Sequence, residues 1–205
     1  MRKGRREMTR TRVEGSPGFY ALLIWFAAAN GYKPLLTILS AAAIHECGHF
    51  FALRRCGSRI SALRLGICGA VMECDCGRLS YGRELLCVLA GPGANFLTAI
   101  LCAATGNLWP AFTGANLVLC AFNLLPVRPL DGGRALELLT AWAAGPAAGE
   151  YAARWVSASC AIASACALVY VMRESGGSLW FAPLAVGFLI TAFRECLGTR
   201  SERRI

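Results

Sequence analysis

The fold class predicted by this sequence is an all-α polytopic membrane protein, with about six transmembrane helices and a small β element at the cytoplasmic interface. Three observations carry the prediction. Of the 205 residues, 56% are hydrophobic, and a mean hydropathy of +0.50 is too high for an ordinary soluble domain. Apolar runs recur at 18–32, 34–53, 85–105, 109–127, 155–172 and 179–193, and several approach the ~20 residues that cross a bilayer core. The positive charges then sort onto one side of a six-span arrangement.

The charges fall in blocks. Arg2, Lys3, Arg5, Arg6, Arg10 and Arg12 precede the first run, and Arg54, Arg55, Arg59, Arg64, Arg78 and Arg83 separate the second from the third. Arg128, Arg134 and Arg154 lie between the fourth and fifth, and Arg194, Arg200, Arg203 and Arg204 follow the sixth. With six spans all of these share one side, and only Lys33 and Arg173 fall on the other. Positive residues concentrate in cytoplasmic loops, so both termini are expected inside a cell membrane. A five- or seven-span count breaks the agreement. The net charge of +9 is then a topological signal, and no nucleic-acid partner is expected. The first run, which ends Ala27-Ala28-Ala29 after a basic head, also resembles a secretory signal peptide. Cleaving it would remove one span and spoil the charge asymmetry.

No repeat, low-complexity stretch or linker divides the chain, so residues 1–205 read as a single domain. Its parts are a basic cytoplasmic tail (1–17), the spans, an interfacial β-rich segment (54–83) and a second cytoplasmic tail (194–205). In the β-rich segment Ile60, Leu63, Leu65, Ile67, Val71 and Met72 lie around Gly66, Gly69 and Gly77, a pattern of short strands with glycine turns. Open strand edges cannot face lipid, which places this piece at the interface or along a cavity. Residues 132–144 read as an amphipathic helix near the membrane surface that ends at Gly145-Pro146.

Cysteine is frequent, with eleven residues. Cys87, Cys102, Cys120, Cys160 and Cys166 fall in spans, where free thiols act as small apolar groups. Cys56, Cys68, Cys74, Cys76 and Cys196 face the cytoplasm, where disulfides are rare. Glu73-Cys74-Asp75-Cys76 reads either as a polar hairpin loop or as a weak soft-metal site.

The chemistry centres on the only two histidines. His45 and His49 sit in Ala43-Ile44-His45-Glu46-Cys47-Gly48-His49-Phe50, an H-E-x-x-H string inside an apolar run. Helical residues four apart share a face, so both imidazoles can bind one metal ion. Glu46 is placed to take a proton from water at that metal. On a span, two histidines and a carboxylate cost several kcal/mol unless they pair or bind something. A catalytic zinc takes three protein ligands and leaves one position open. The fourth run ends Phe122-Asn123-Leu124-Leu125-Pro126-Val127-Arg128-Pro129-Leu130-Asp131-Gly132-Gly133, where prolines and glycines break the helix and let backbone bend around a site. Asp131 is the carboxylate in that break, at a depth matching the histidines. It reads as the third ligand, as an N-cap for the following helix, or as both. Glu73, Asp75 and Glu137 are weaker candidates in solvated segments.

The H-E-x-x-H string and the N-x-x-P-x-x-P-L-D-G-G string resemble the site-2 protease family of intramembrane zinc metalloproteases, and in particular its six-span, sporulation protein FB-like branch. The likeness runs over roughly residues 34–140. It implies one Zn2+ per chain held by His45, His49 and Asp131, water activation by Glu46, and a substrate-holding role for Asn123. The Gly91-Pro92-Gly93-Ala94-Asn95 string also resembles a family motif, although glycine and proline in a span also permit close packing, with Asn95 bonding across helices as a structural or site-supporting residue. The chain stops after the sixth run, so the nucleotide-sensing domain of some relatives is expected to be missing, and no PDZ-like insertion separates the spans. The resemblance implies regulated intramembrane proteolysis of a membrane-associated protein substrate, such as a membrane-tethered pro-transcription factor, with regulatory membrane proteins as further partners. An extended substrate stretch is expected to add to the β element as a strand. A metal-binding transporter and an inactive scaffold are the alternatives, and neither needs a carboxylate at Glu46.

Overall fold

The computed structural model describes residues 12–58, 60–66, 69–74, 79–106, 108–174 and 182–198. A short strand β1 (Arg12–Gly15) leads into helix α1 (Pro17–Asn30), whose first turn is capped by the Ser16 hydroxyl accepting from the Phe19 N–H at 3.1 Å. Helix α2 (Tyr32–Arg55) follows after Gly31, whose φ of 82° suits glycine. Strands β2 (Ile60–Gly66) and β3 (Gly69–Cys74) form an antiparallel pair. Helices α3 (Tyr81–Ala104), α4 (Pro110–Asn123), α5 (Asp131–Ala144), α6 (Pro146–Glu174) and α7 (Ala182–Leu197) complete the chain.

The protein is a membrane protein. Three helices, α2, α3 and α6, are long and apolar enough to cross a bilayer. Helices α1, α4 and α7 occupy the other three apolar runs with 14, 14 and 16 residues. A 14-residue helix is about 21 Å long, shorter than a bilayer core of about 30 Å. Large apolar side chains such as Ile24, Leu86, Phe96 and Val118 are exposed, as expected of a surface that faces acyl chains rather than water. Helix α4 stops four residues short of its apolar run, because Pro126 biases the residue before it away from helical backbone.

The expected β element is present and larger than its sequence suggested. Strand β1, inside what reads as a basic tail, pairs in parallel with β2 from Arg12↔Ala62 to Gly15↔Leu65, giving the order β1-β2-β3. Arg64 fastens the sheet on its polar face, reaching Glu14 at 3.3 Å and Glu73 at 2.9 Å. Glu73 is therefore committed to the sheet and is no metal ligand. Cys74 is disulfide-bonded, contrary to the expectation for a cytoplasmic thiol, and a bridged sulfur offers no thiolate to a soft metal. Asp75, Cys68 and Cys76, the other parts of that reading, lie outside the described residues.

Helix α3 is the centre of the bundle and packs against α2, α4 and α5, while α6 packs on α5 and α7. Its buried residues, Glu84, Cys87, Val88, Gly91, Pro92, Asn95 and Ala99, form one stripe. The buried residues of α2 also recur every four positions: Ala41, His45, His49 and Leu53. These two stripes face each other, so the histidines are carried into the bundle. Gly48 permits the approach, since a Cβ there would overlap the α3 backbone at Ala90.

Candidate metal centre

His45 and His49 are 6% and 5% exposed, on adjacent turns of α2. Each ring is tied by its Nδ1. His45 Nδ1 lies 2.7 Å from the Asn95 Oδ1, and His49 Nδ1 lies 2.8 Å from the Cys87 carbonyl oxygen. Both partners are acceptors, so both Nδ1 atoms donate. The Asn95 orientation is itself fixed, because its Nδ2 donates to the Ala41 carbonyl at 2.9 Å and to Asn116 Oδ1 at 2.8 Å. Asn116, fully buried on α4, donates in turn to the Phe112 carbonyl at 2.9 Å. A neutral imidazole that donates from Nδ1 presents a lone pair at Nε2.

The two Nε2 atoms point at one another, 3.1 Å apart. Asp131 Oδ2 completes a triangle, 3.1 Å from His45 Nε2 and 3.3 Å from His49 Nε2. Although it lies this close to both nitrogens, Asp131 Oδ2 is buried without a hydrogen-bond partner. With both Nδ1 atoms donating, three potential ligand atoms thus converge on one point, an arrangement that can hold a cation. Zinc at about 2.0–2.2 Å from tetrahedral nitrogen and oxygen ligands requires neighbouring donors about 3.3 Å apart. The triangle fits zinc, and His45, His49 and Asp131 are the group of described residues whose donor atoms come together in this way.

The capping reading of Asp131 does not hold. Leu130 is the N-cap of α5, no side chain caps the helix, and Asp131 is its first helical residue. Gly132 and Gly133 do not bend the backbone through positive φ, as neither is among the glycines with positive φ. Both are helical, and what they provide is space. A Cβ on Gly133 would sit 2.7 Å from the Val127 carbonyl carbon, and one on Gly132 would overlap the Leu124 carbonyl. The first turn of α5 can therefore lie directly on residues 124–127 and present its aspartate inward. Val127, 1% exposed, pins that segment among Ala161, Ala165, Phe188 and Ala192 of α6 and α7.

Glu46 is half-buried beside the histidines and has no hydrogen-bond or ion-pair partner among the described residues. Asn123 is at the end of α4 and donates from Nδ2 to the Leu119 carbonyl at 3.0 Å, so it makes no contact with the triangle. Glu137, a weaker ligand candidate in the sequence, is bound instead to Arg134 at 2.9 Å and Arg128 at 3.3 Å. Asn116 is not legible as a site residue in the sequence, and Gly91 is legible only as part of a glycine–proline string that permits close packing, not as the space for a histidine ring. Asn116 looks like an isolated amide in an apolar run, and only its pairing with Asn95 reveals its place behind His45. Gly91 has open space only because the His49 ring fills it. A Cβ there would fall 2.7 Å from His49 Cδ2 and would overlap Nε2.

The fold and the triangle define a membrane protein with a group of three residues that could hold a metal ion and an unpartnered carboxylate beside it. Residues 34–111 match the model of peptidase family M50. The matched segment contains His45, Glu46, His49 and Asn95 and ends before Asp131. Among curated proteins, the chain is 33% identical over 133 residues to stage IV sporulation protein FB of Bacillus subtilis, covering 57% of this chain and 45% of that protein. It is 30% identical over 138 residues to the putative zinc metalloprotease Rip3 of Mycobacterium tuberculosis, covering 60% and 34%. The chain thus spans less than half the length of these relatives. The solved structure of the site-2 protease from Methanocaldococcus jannaschii matches with a TM-score of 0.63 at 20% identity, over 93% of this chain and 92% of that one, and shares the fold.

Proposed function

We propose that the protein is an intramembrane zinc metalloprotease that hydrolyses peptide bonds of membrane-associated proteins near the cytoplasmic face. The observation that carries this reading is the triangle of His45 Nε2, His49 Nε2 and Asp131 Oδ2 with the unpartnered Glu46 beside it. A zinc ion held by these three residues supplies Lewis acidity, making water more acidic and a nearby peptide carbonyl more electrophilic. Glu46 accepts the proton of the attacking water and delivers it to the leaving amine nitrogen, so the peptide C–N bond breaks without releasing charge into the bundle. Nδ1 donation to Asn95 and Cys87 keeps both imidazoles in the ligating tautomer throughout.

The side-chain carbonyl oxygen of Asn123 has no hydrogen-bond partner among the described residues and is suited to accept an N–H from an extended substrate segment. A helical substrate hides its peptide groups, so the cleaved stretch must unwind, and the sheet offers a strand edge to receive it. Six spans with both termini cytoplasmic follow from the charge blocks and would set the triangle roughly 6–12 Å below the cytoplasmic boundary, at 1.5 Å per helical residue. A membrane-tethered precursor of a transcription factor is the substrate class proposed, gated by partner membrane proteins. A transporter reading leaves the unpartnered Glu46 without a role.

Metal removal tests the reading. Purified protein in proteoliposomes with a tagged, membrane-tethered substrate should lose cleavage on treatment with a zinc chelator and regain it when one equivalent of zinc per chain is returned. Cleavage that continues with the metal stripped would refute the assignment.

A further inference from the structure

The buried stripe of α3 carries more than the contacts to the two histidines. Cys87 accepts from His49, Gly91 makes room for the His49 ring, and Asn95 accepts from His45. Glu84 lies one turn before Cys87 on the same stripe and is 8% exposed. Its carboxylate forms an ion pair with Arg134, one turn beyond Asp131 in α5. Arg134 is also held by Glu137 at 2.9 Å. The spacing 84, 87, 91, 95 keeps all four positions on one face over about 16 Å of helix. One helix therefore touches both histidine ligands directly and reaches the third ligand through a charged pair.

We infer that α3 is the template that registers the three metal ligands, and that Glu84 and Arg134 are positioning residues for Asp131. The inference rests on the metal-centre reading above. Asp131 has no hydrogen bond to hold its Oδ2 in place, and its side chain is short, so its position follows the first turn of α5. Apolar packing of Val88 against Ala135 and Leu138 brings α5 against α3, but such contacts are non-directional and tolerate sliding. A buried guanidinium–carboxylate pair has direction, and sliding α5 along α3 would leave the buried Glu84 carboxylate unpaired, while Arg134 would keep only Glu137 of its own helix. A second cluster, joined to this one where Glu137 also meets Arg128 at 3.3 Å, fastens the preceding loop to the outer helices. Arg128 reaches Glu150 of α6 at 3.1 Å and Glu195 of α7 at 3.5 Å, and its backbone N–H donates to Ser157 at 2.9 Å. That cluster holds the loop to α6 and α7, whereas the Glu84–Arg134 pair sets α5 against the helix that carries the histidine contacts.

Co2+ titration of the full chain in detergent micelles, followed by visible absorption, separates positioning from general stability. The wild type should bind one Co2+ with the intense bands of tetrahedral coordination. Glu84→Gln and Arg134→Gln should each weaken binding 10- to 100-fold and alter the bands, as loss of groups that orient ligands does. The double variant, which removes both charges together, should be no weaker than the poorer single variant, because Glu84 acts on α5 only through its contact with Arg134. It also carries the test should either single variant fail to fold. Glu150→Gln, in the outer cluster, should match the wild type. Wild-type affinity and bands in a folded double variant would overturn the inference. A wild type that binds no Co2+ would instead refute the metal centre, and the inference with it.

Discussion

Glu46→Gln should lower kcat for cleavage of a membrane-tethered substrate by about 10²- to 10⁴-fold, the usual contribution of a positioned general base, while zinc content stays at one per chain. The substitution preserves shape and removes the proton acceptor. Glu46 is adjacent in sequence to the ligand His45 and has no partner among the described residues, so no structural contact is lost with its charge. The triangle of donors does not include it. Activity and metal content should therefore separate, and zinc analysis beside a single-turnover cleavage assay measures both. Loss of zinc in step with activity would make Glu46 a metal-site residue instead, and unchanged cleavage would remove it from the mechanism.

Gly91→Ala should weaken metal binding at least 100-fold, or about 2.7 kcal/mol, at a position that no ligand set includes. The added methyl carbon would lie 2.6 Å from His49 Cε1 and 2.7 Å from Cδ2, well inside contact distance. Either His49 swings out of the triangle, breaking its bond to the Cys87 carbonyl, or α3 retreats from α2 and takes Asn95 with it. Both outcomes separate the donors. At Gly93, two residues along the same helix, an added Cβ would meet nothing within 4 Å, and Gly93→Ala should bind metal as the wild type does. Isothermal titration of zinc into both variants compares them, and equal affinities would contradict the packing described here.

The metal centre is legible in the sequence in proportion to how local its parts are. His45, Glu46 and His49 are fixed relative to one another by helical periodicity alone, and no tertiary information is needed to place them on one face. Asp131 is within reach because a carboxylate in a proline- and glycine-broken helix end has few other uses at that depth. Its rival use as an N-cap is dismissed only by the presence of Leu130 in that position. The β2–β3 pair follows from glycine-punctuated alternation, whereas β1 does not, since four residues in a basic tail carry almost no pattern and pair only because β2 offers an edge.

The supporting residues stay hidden because their meaning is relational. Asn116 matters through Asn95, Glu84 through Arg134, and Gly91 through the ring of His49, partners separated by 21, 50 and 42 positions. A sequence pattern reports residue type and spacing along one helix. It does not report which stripe of a second helix will face it. The glycines at 132 and 133 show the same limit, for in sequence they suggest a bend and in the fold they allow a close approach.

X-ray absorption at the zinc edge of the loaded, full-length protein tests the central claim most directly. The account predicts two imidazole nitrogens and one carboxylate oxygen at about 2.0–2.2 Å, with a light fourth atom and no sulfur. A sulfur shell near about 2.3 Å would place the metal at one of the cysteines and contradict the assignment of His45, His49 and Asp131.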